Sequence, residues 1–164
     1  MALLAFYTCG MLRGSIGSNQ VAGFFNLAPA VFESAAKAPG CVRHMMDEPR
    51  GWPPAAQEWG PWGTYSSPDF HNDVPGRDDR VAATLSVWES IAAVRAFAYS
   101  GVHAQALAQR SDWFEQSAFP GYVMWWIDDG DVPTWKECAR RMQDLHENGP
   151  STNGFTFAKV FPQA

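Results

Sequence analysis

Four histidines carry most of the chemistry this sequence can offer, and they stand apart from one another. His44 lies in a short apolar run, His71 in a proline-rich stretch, His103 after a Ser100-Gly101 break, and His146 just before Gly149-Pro150. No H-x-x-x-H or H-E-x-x-H spacing occurs, and Cys9, Cys41 and Cys138 fall at no metal-ligand spacing, so no metal is expected. Asp128-Asp129-Gly130-Asp131 resembles the start of a calcium loop but lacks the later ligands and the terminal Glu, so it reads as a solvated turn. Glycine-rich nucleotide loops and the G-x-S-x-G elbow are absent, which leaves nucleotide and serine-hydrolase chemistry without support.

Single-histidine chemistry remains. A neutral imidazole at His103, where the chain opens between two helical pieces, can act as a general base near pH 7; a surface or capping role is the alternative. His44 alternates with Val42 and Met46, which places it inside, either at a ligand or as a hydrogen-bonded core member. His146, in the last turn of a helix, suits the negative end of the helix dipole. Arg43 points away from His44 and reads as exposed or interfacial. Arg110, three residues before Trp113, can meet an anionic substrate or pair with Asp112 or Glu115.

The aromatic residues are the second resource. Eight Trp exceed what a core in 164 residues usually requires, and an indole N–H is costly to bury without a partner. Tyr7, Phe24, Phe25, Trp88, Tyr99, Trp113, Phe114, Trp125, Trp126, Phe155 and Phe157 are by default core or subunit interface. Their number also suits an apolar, aromatic-walled cavity with a few polar groups, the usual form of a small-molecule site.

The elements that must position these groups follow from periodicity. Met1 to Leu12 alternates, with Leu4, Phe6 and Thr8 on one face and Leu3, Ala5 and Tyr7 on the other, and reads as a strand. It is no secretory signal, because Arg13 follows the apolar run instead of preceding it. Ser18 or Asn19 caps a helix carrying Val21, Phe24, Phe25, Val31, Phe32 and Ala35, which Pro29 is expected to kink or interrupt. Cys41 to Met46 reads as a short strand, with Val42, His44 and Met46 on one side. Asp47 to Arg80 has no period; its Trp52, Trp59, Trp62, Tyr65 and Phe70 fit either a packed surface loop or a lid. Val81 to Trp88 is a strand, followed by two helical pieces on either side of Ser100-Gly101. Tyr122 to Ile127 is a strand apolar on both faces. Pro133-Thr134 starts a helix with Trp135, Cys138, Met142 and Leu145 as its buried stripe. Phe155 to Phe161 suits a last strand.

This order gives an α+β class: a βαββαβ core with one antiparallel sheet and helices on one face. The other face then needs cover, and a second subunit is expected to supply it. The net charge of −5 and the lack of a basic cluster argue against nucleic acid as a partner. No run of 18 apolar residues is present, so no membrane span is expected. Three unpaired cysteines suit a reducing, cytoplasmic setting.

Several short motifs share an order. Ser86-Val87-Trp88-Glu89, then Phe97-Ala98-Tyr99 and His103, Arg110-x-x-Trp113-Phe114 and the pair Trp125-Trp126 are followed by Pro133-Thr134, Gly149-Pro150-Ser151 and Phe155-Thr156-Phe157. Together they resemble a family of small uncharacterised proteins, a domain-of-unknown-function group in the dimeric α/β-barrel superfamily. The resemblance is best from about residue 81 to 162 and weaker over residues 1 to 46. It implies a ferredoxin-like fold, a homodimeric barrel, and a pocket between each sheet and its own helices. It also implies kinship with cofactor-free monooxygenases, polyketide cyclases and haem-binding proteins, with His103 matching the histidine of the cyclases.

The functional expectation is a cofactor-independent enzyme acting on a hydrophobic small molecule, by cyclisation, isomerisation or elimination. His103 would be the acid/base group and Tyr99 or Tyr7 its polar partner. Trp88, Trp113, Phe114 and Trp126 would wall the pocket, with His44 and Arg110 as further contacts. A cofactor-free monooxygenase, or a non-catalytic small-molecule or haem-binding protein with His103 or His44 as axial ligand, are the other readings.

Overall fold

Alternation along Ala2–Met11 (β1) places two sets of side chains on opposite sides of a sheet, and each set finds its own cover. The computed structural model describes residues 1–47 and 58–163. Leu4, Phe6 and Thr8 stand opposite Trp88, Ser86 and Thr84 of Val81–Trp88 (β3) and opposite Trp126, Met124 and Tyr122 of Tyr122–Asp128 (β4). Directly opposed residues share a face, so these nine line one side. Leu3, Ala5, Tyr7, Cys9 and Met11 join Val81, Ala83, Leu85, Val87, Val123, Trp125 and Ile127 on the other.

The remaining strand, Cys41–His44 (β2), pairs with β3, and the sheet order is β2-β3-β1-β4, antiparallel throughout. With the helices Ala22–Lys37 (α1), Ile91–Ala98 (α2), Gly101–Trp113 (α3) and Trp135–Asn148 (α4), this is the ferredoxin-like α+β arrangement expected from the sequence. Among the described residues, no helix is long and apolar enough to cross a membrane.

The helices do not all lie on one face. Val94 and Phe97 of α2 pack with Leu4, Phe6 and Trp88, and Trp113 of α3 packs with Val21, Leu12 and Ala82. The stripe Trp135, Cys138, Met142 and Leu145 of α4 closes the opposite face, together with Trp59, Trp62, Tyr65, Phe70 and Val74 from the long β2–β3 connection. The cover expected from a second subunit is therefore intramolecular, and the reason for placing a partner there falls away. The described part of that connection is the packed loop: Trp59 and Trp62 are buried, and short 3-10 turns form at Gly60–Trp62, Asp69–His71 and Arg77–Asp79. Trp52 lies outside the described residues.

Local differences from the sequence reading have local causes. Helix α1 runs through Pro29, an exposed residue. Ser18 precedes a 3-10 turn, Asn19–Val21, without a capping hydrogen bond from its side chain. A register shift between Cys41 and Arg43 breaks the alternation of β2, so Cys41 and His44 stand opposite Trp88 and Ser86 while Val42 is exposed. Met45–Asp47 forms a 3-10 turn instead of extending the strand. Phe155 to Phe161 is not a strand: Phe155 exchanges both backbone hydrogen bonds with Met124, but the chain then turns away at Thr156–Lys159.

Candidate functional site

The expected trio of His103, Tyr99 and Tyr7 is not brought together. Tyr7 belongs to the α4 face, fully buried, whereas Tyr99 and His103 belong to the α2–α3 corner on the other face. His103 Nδ1 lies 2.8 Å from the Ala98 carbonyl, an acceptor only, so that nitrogen carries the proton and donates. The ring thus closes the end of α2, and Phe97 packs on it at 4.8 Å between centroids. Burial lowers the His103 pKa, with the Ala98 hydrogen bond opposing. Tyr99, the residue following α2, is 60% exposed and sits beside Phe157.

The expected pocket walls are packed against one another. Trp88 is fully buried, stacks on Phe97 at 5.1 Å and donates Nε1–H to Ser86 Oγ at 2.8 Å. Trp113 and Phe114 close edge-to-face on Phe24 at 5.9 and 5.2 Å. Trp126 donates to the Phe161 carbonyl at 2.9 Å. Arg110 is exposed and makes no ion pair among the described residues, while Glu115, one of its expected partners, is held by Arg80. The surplus rings are core, and neither of the two hollows described below is lined by His103 or by any tryptophan.

One hollow is apolar and lies elsewhere. Phe25, Ala28, Pro29, Phe32 and Ala36 of α1 face His44, Met46 and Asp47 across a cavity of about 360 Å³, with Glu33 at its margin. The α1 positions recur at three, four, seven and eleven residues from Phe25, one face of a helix. His44 is 6% exposed. Its Nδ1 accepts the Met46 backbone N–H at 3.1 Å, and its own backbone N–H donates to Asp47 Oδ2 at 2.8 Å. An imidazole that accepts at Nδ1 carries its proton on Nε2 when neutral. Burial pushes the His44 pKa down to about 4, with the Asp47 carboxylate opposing, so the neutral form is held. Among the described residues Nε2–H has no hydrogen-bond partner. His44 can therefore donate to a ligand, but its only basic nitrogen is already engaged.

A second hollow, about 670 Å³, runs along the outer side of α4 beside Ser66, Ser67 and Asp69. It is polar and mixed in charge. Lys136, Arg140, Asp69, Glu137, Asp144 and Glu147 all line it.

Between the sheet and α4 lies a buried polar group of residues that sequence reasoning passed over, apart from Tyr7. Cys9 Sγ is 3.8 Å from His71 Nδ1. Burial pushes the Cys9 thiol up to about 12 and His71 down to about 4, the latter helped by Arg77. Both are neutral at physiological pH, so they form no thiolate–imidazolium nucleophile. The Tyr7 hydroxyl, beside Cys9, has no acceptable hydrogen-bond geometry to any described group, and the same holds for Tyr65 and the Trp125 and Trp135 indoles. All three cysteines are free.

Comparison with known proteins adds a family. The model of a domain of unknown function, DUF3291, matches residues 3–164. No curated protein matches the chain. The crystal structure of the NE2512 protein of unknown function from Nitrosomonas europaea is similar over 82% of this chain and 97% of that one, at 11% identity and a TM-score of 0.48.

Proposed function

The chain belongs to the DUF3291 family, and from that premise we propose that it binds a predominantly apolar small molecule in the cavity between α1 and β2. One observation carries this reading: a cavity of about 360 Å³, walled by Phe25, Ala28, Pro29, Phe32 and Met46, into which the sequence has placed one buried imidazole. Ligand pockets commonly hold roughly 300–1,000 Å³ and combine apolar walls with few polar groups.

Binding is common to the enzymatic and the non-enzymatic expectations, and the site moves from His103 to His44. Turnover without a cofactor would here rest on positioning and on one donor to a developing oxyanion, not on proton abstraction. Haem ligation through His44 Nε2 is disfavoured, because the Met46 N–H occupies the nitrogen that would have to carry the proton. Kinship with the cofactor-free monooxygenases and cyclases of the dimeric α/β-barrel superfamily is part of the proposal. The sheet order and a cavity on the side of α1 support it.

Titration with Nile red, an uncharged apolar dye, tests the site. Saturable one-site fluorescence enhancement is expected for the wild type and its loss in Ala28→Leu and Ala36→Leu, which fill the cavity from α1. No saturable binding, or equal binding by the filled variants, overturns the proposal.

A further inference from the structure

We infer that the α1–β2 cavity selects ligands bearing an uncharged carbonyl-type oxygen, held by the Nε2–H of His44. This rests on the function proposed above and names the class of its ligand.

The Met46 backbone N–H at 3.1 Å from Nδ1 permits one neutral tautomer, which offers a donor and no acceptor at the other nitrogen. The remaining walls are the apolar side chains of Phe25, Ala28, Pro29, Phe32, Ala36 and Met46, apart from two carboxylates on exposed residues, Glu33 and Asp47. Glu33 is held by Lys37 at 2.5 Å and Asp47 by the His44 backbone N–H. A hydrocarbon would cover Nε2–H and leave it without water or partner, which costs more than the apolar contact it gains there. A ketone, ester or lactone would satisfy it. A carboxylate would surrender its hydration to a single neutral donor beside two like charges. An ammonium or alcohol donor finds no acceptor on His44, because its only ring lone pair is spent on Met46, and can turn only to the Glu33 and Asp47 carboxylates, away from Nε2–H.

Four probes of one shape separate these cases: 2-acetylnaphthalene, 2-ethylnaphthalene, 2-naphthoate and 2-naphthylmethylammonium. Their affinities are measured by calorimetry, with 15N spectra of the histidine rings. The ketone should bind about tenfold more tightly than the hydrocarbon, the worth of one net hydrogen bond, and the carboxylate most weakly. Only the ketone should shift the His44 Nε2 resonance. His44→Phe, which keeps the ring, should erase the ketone's advantage while hydrocarbon binding persists; His44→Gln, which restores an N–H, should recover part of it. Should His44→Phe fail to fold, the wild-type 15N shift decides alone. Equal affinity for ketone and hydrocarbon, with both displacing Nile red, overturns the ligand class and leaves the binding site standing. Failure of every probe, Nile red included, overturns both.

Discussion

His103 and His44 show how one hydrogen bond decides what an imidazole can do. His103 spends its proton on the Ala98 carbonyl, and His44 spends its lone pair on the Met46 N–H. His103→Ala should cost about 1–2 kcal/mol in denaturant unfolding, through a lost hydrogen bond and lost packing on Phe97. It should leave Nile red binding unchanged; loss of binding would return His103 to the site. Binding of a neutral ketone should be flat between pH 6 and 8, because the buried imidazole stays neutral down to about 4. An affinity that changes through pH 6.5 would show that His44 titrates as an exposed histidine does. Periodicity put His44 inside correctly, but the partner of each ring nitrogen was not legible. Those partners, Met46 and Ala98, are backbone groups whose positions depend on a 3-10 turn and on a helix end.

At the scale of elements, caps and close approaches fix where each helix sits. Thr134 accepts the Glu137 N–H at the start of α4, and Ser90 accepts the Ala93 N–H at the start of α2. Thr134→Ala and Ser90→Ala should each lower stability by about 1 kcal/mol in urea unfolding. Gly10 is where β1 lets Phe114 lie against it: a Cβ there would stand 2.7 Å from the ring. Gly10→Ala should therefore destabilise by roughly 1–3 kcal/mol, measured the same way, and an unchanged midpoint would mean the ring can retreat. Strands β1 and β3 and the helices α1, α2 and α4 were legible because they follow a period of 2 or 3.6. The break of α2 from α3 and the stripe of α4 were read in the same way. The face that α4 covers was not, since a stripe says that a helix buries one side without saying against what. Pro29 does not interrupt α1, because a proline forbids one hydrogen bond and a helix packed along its length tolerates that loss.

For the molecule as a whole, two buried neutral histidines set its response to acid. His44 and His71 are 6% and 4% exposed, and both are held down to about 4 against an ordinary value of 6.5. The unfolded chain takes up those protons first, so stability is full above about 6.5, falls as the pH drops towards 4, and loses nothing more from these groups below that. Each can contribute up to about 3 kcal/mol, from roughly 1.4 kcal/mol per unit. Melting temperatures across pH 4 to 8 should show this slope, reduced in His71→Phe; a flat profile would contradict the burial of both rings. The backbone pairing of Phe155 with Met124 matters here too, because β4 is an outer strand of the sheet. The tail after α4 occupies part of the ladder that another polypeptide would otherwise join, and the opposite border, β2, is four residues long and irregular. Shortening the protein before Gly154 would uncover that stretch of β4 and should favour fibril-like stacking of one molecule onto the next.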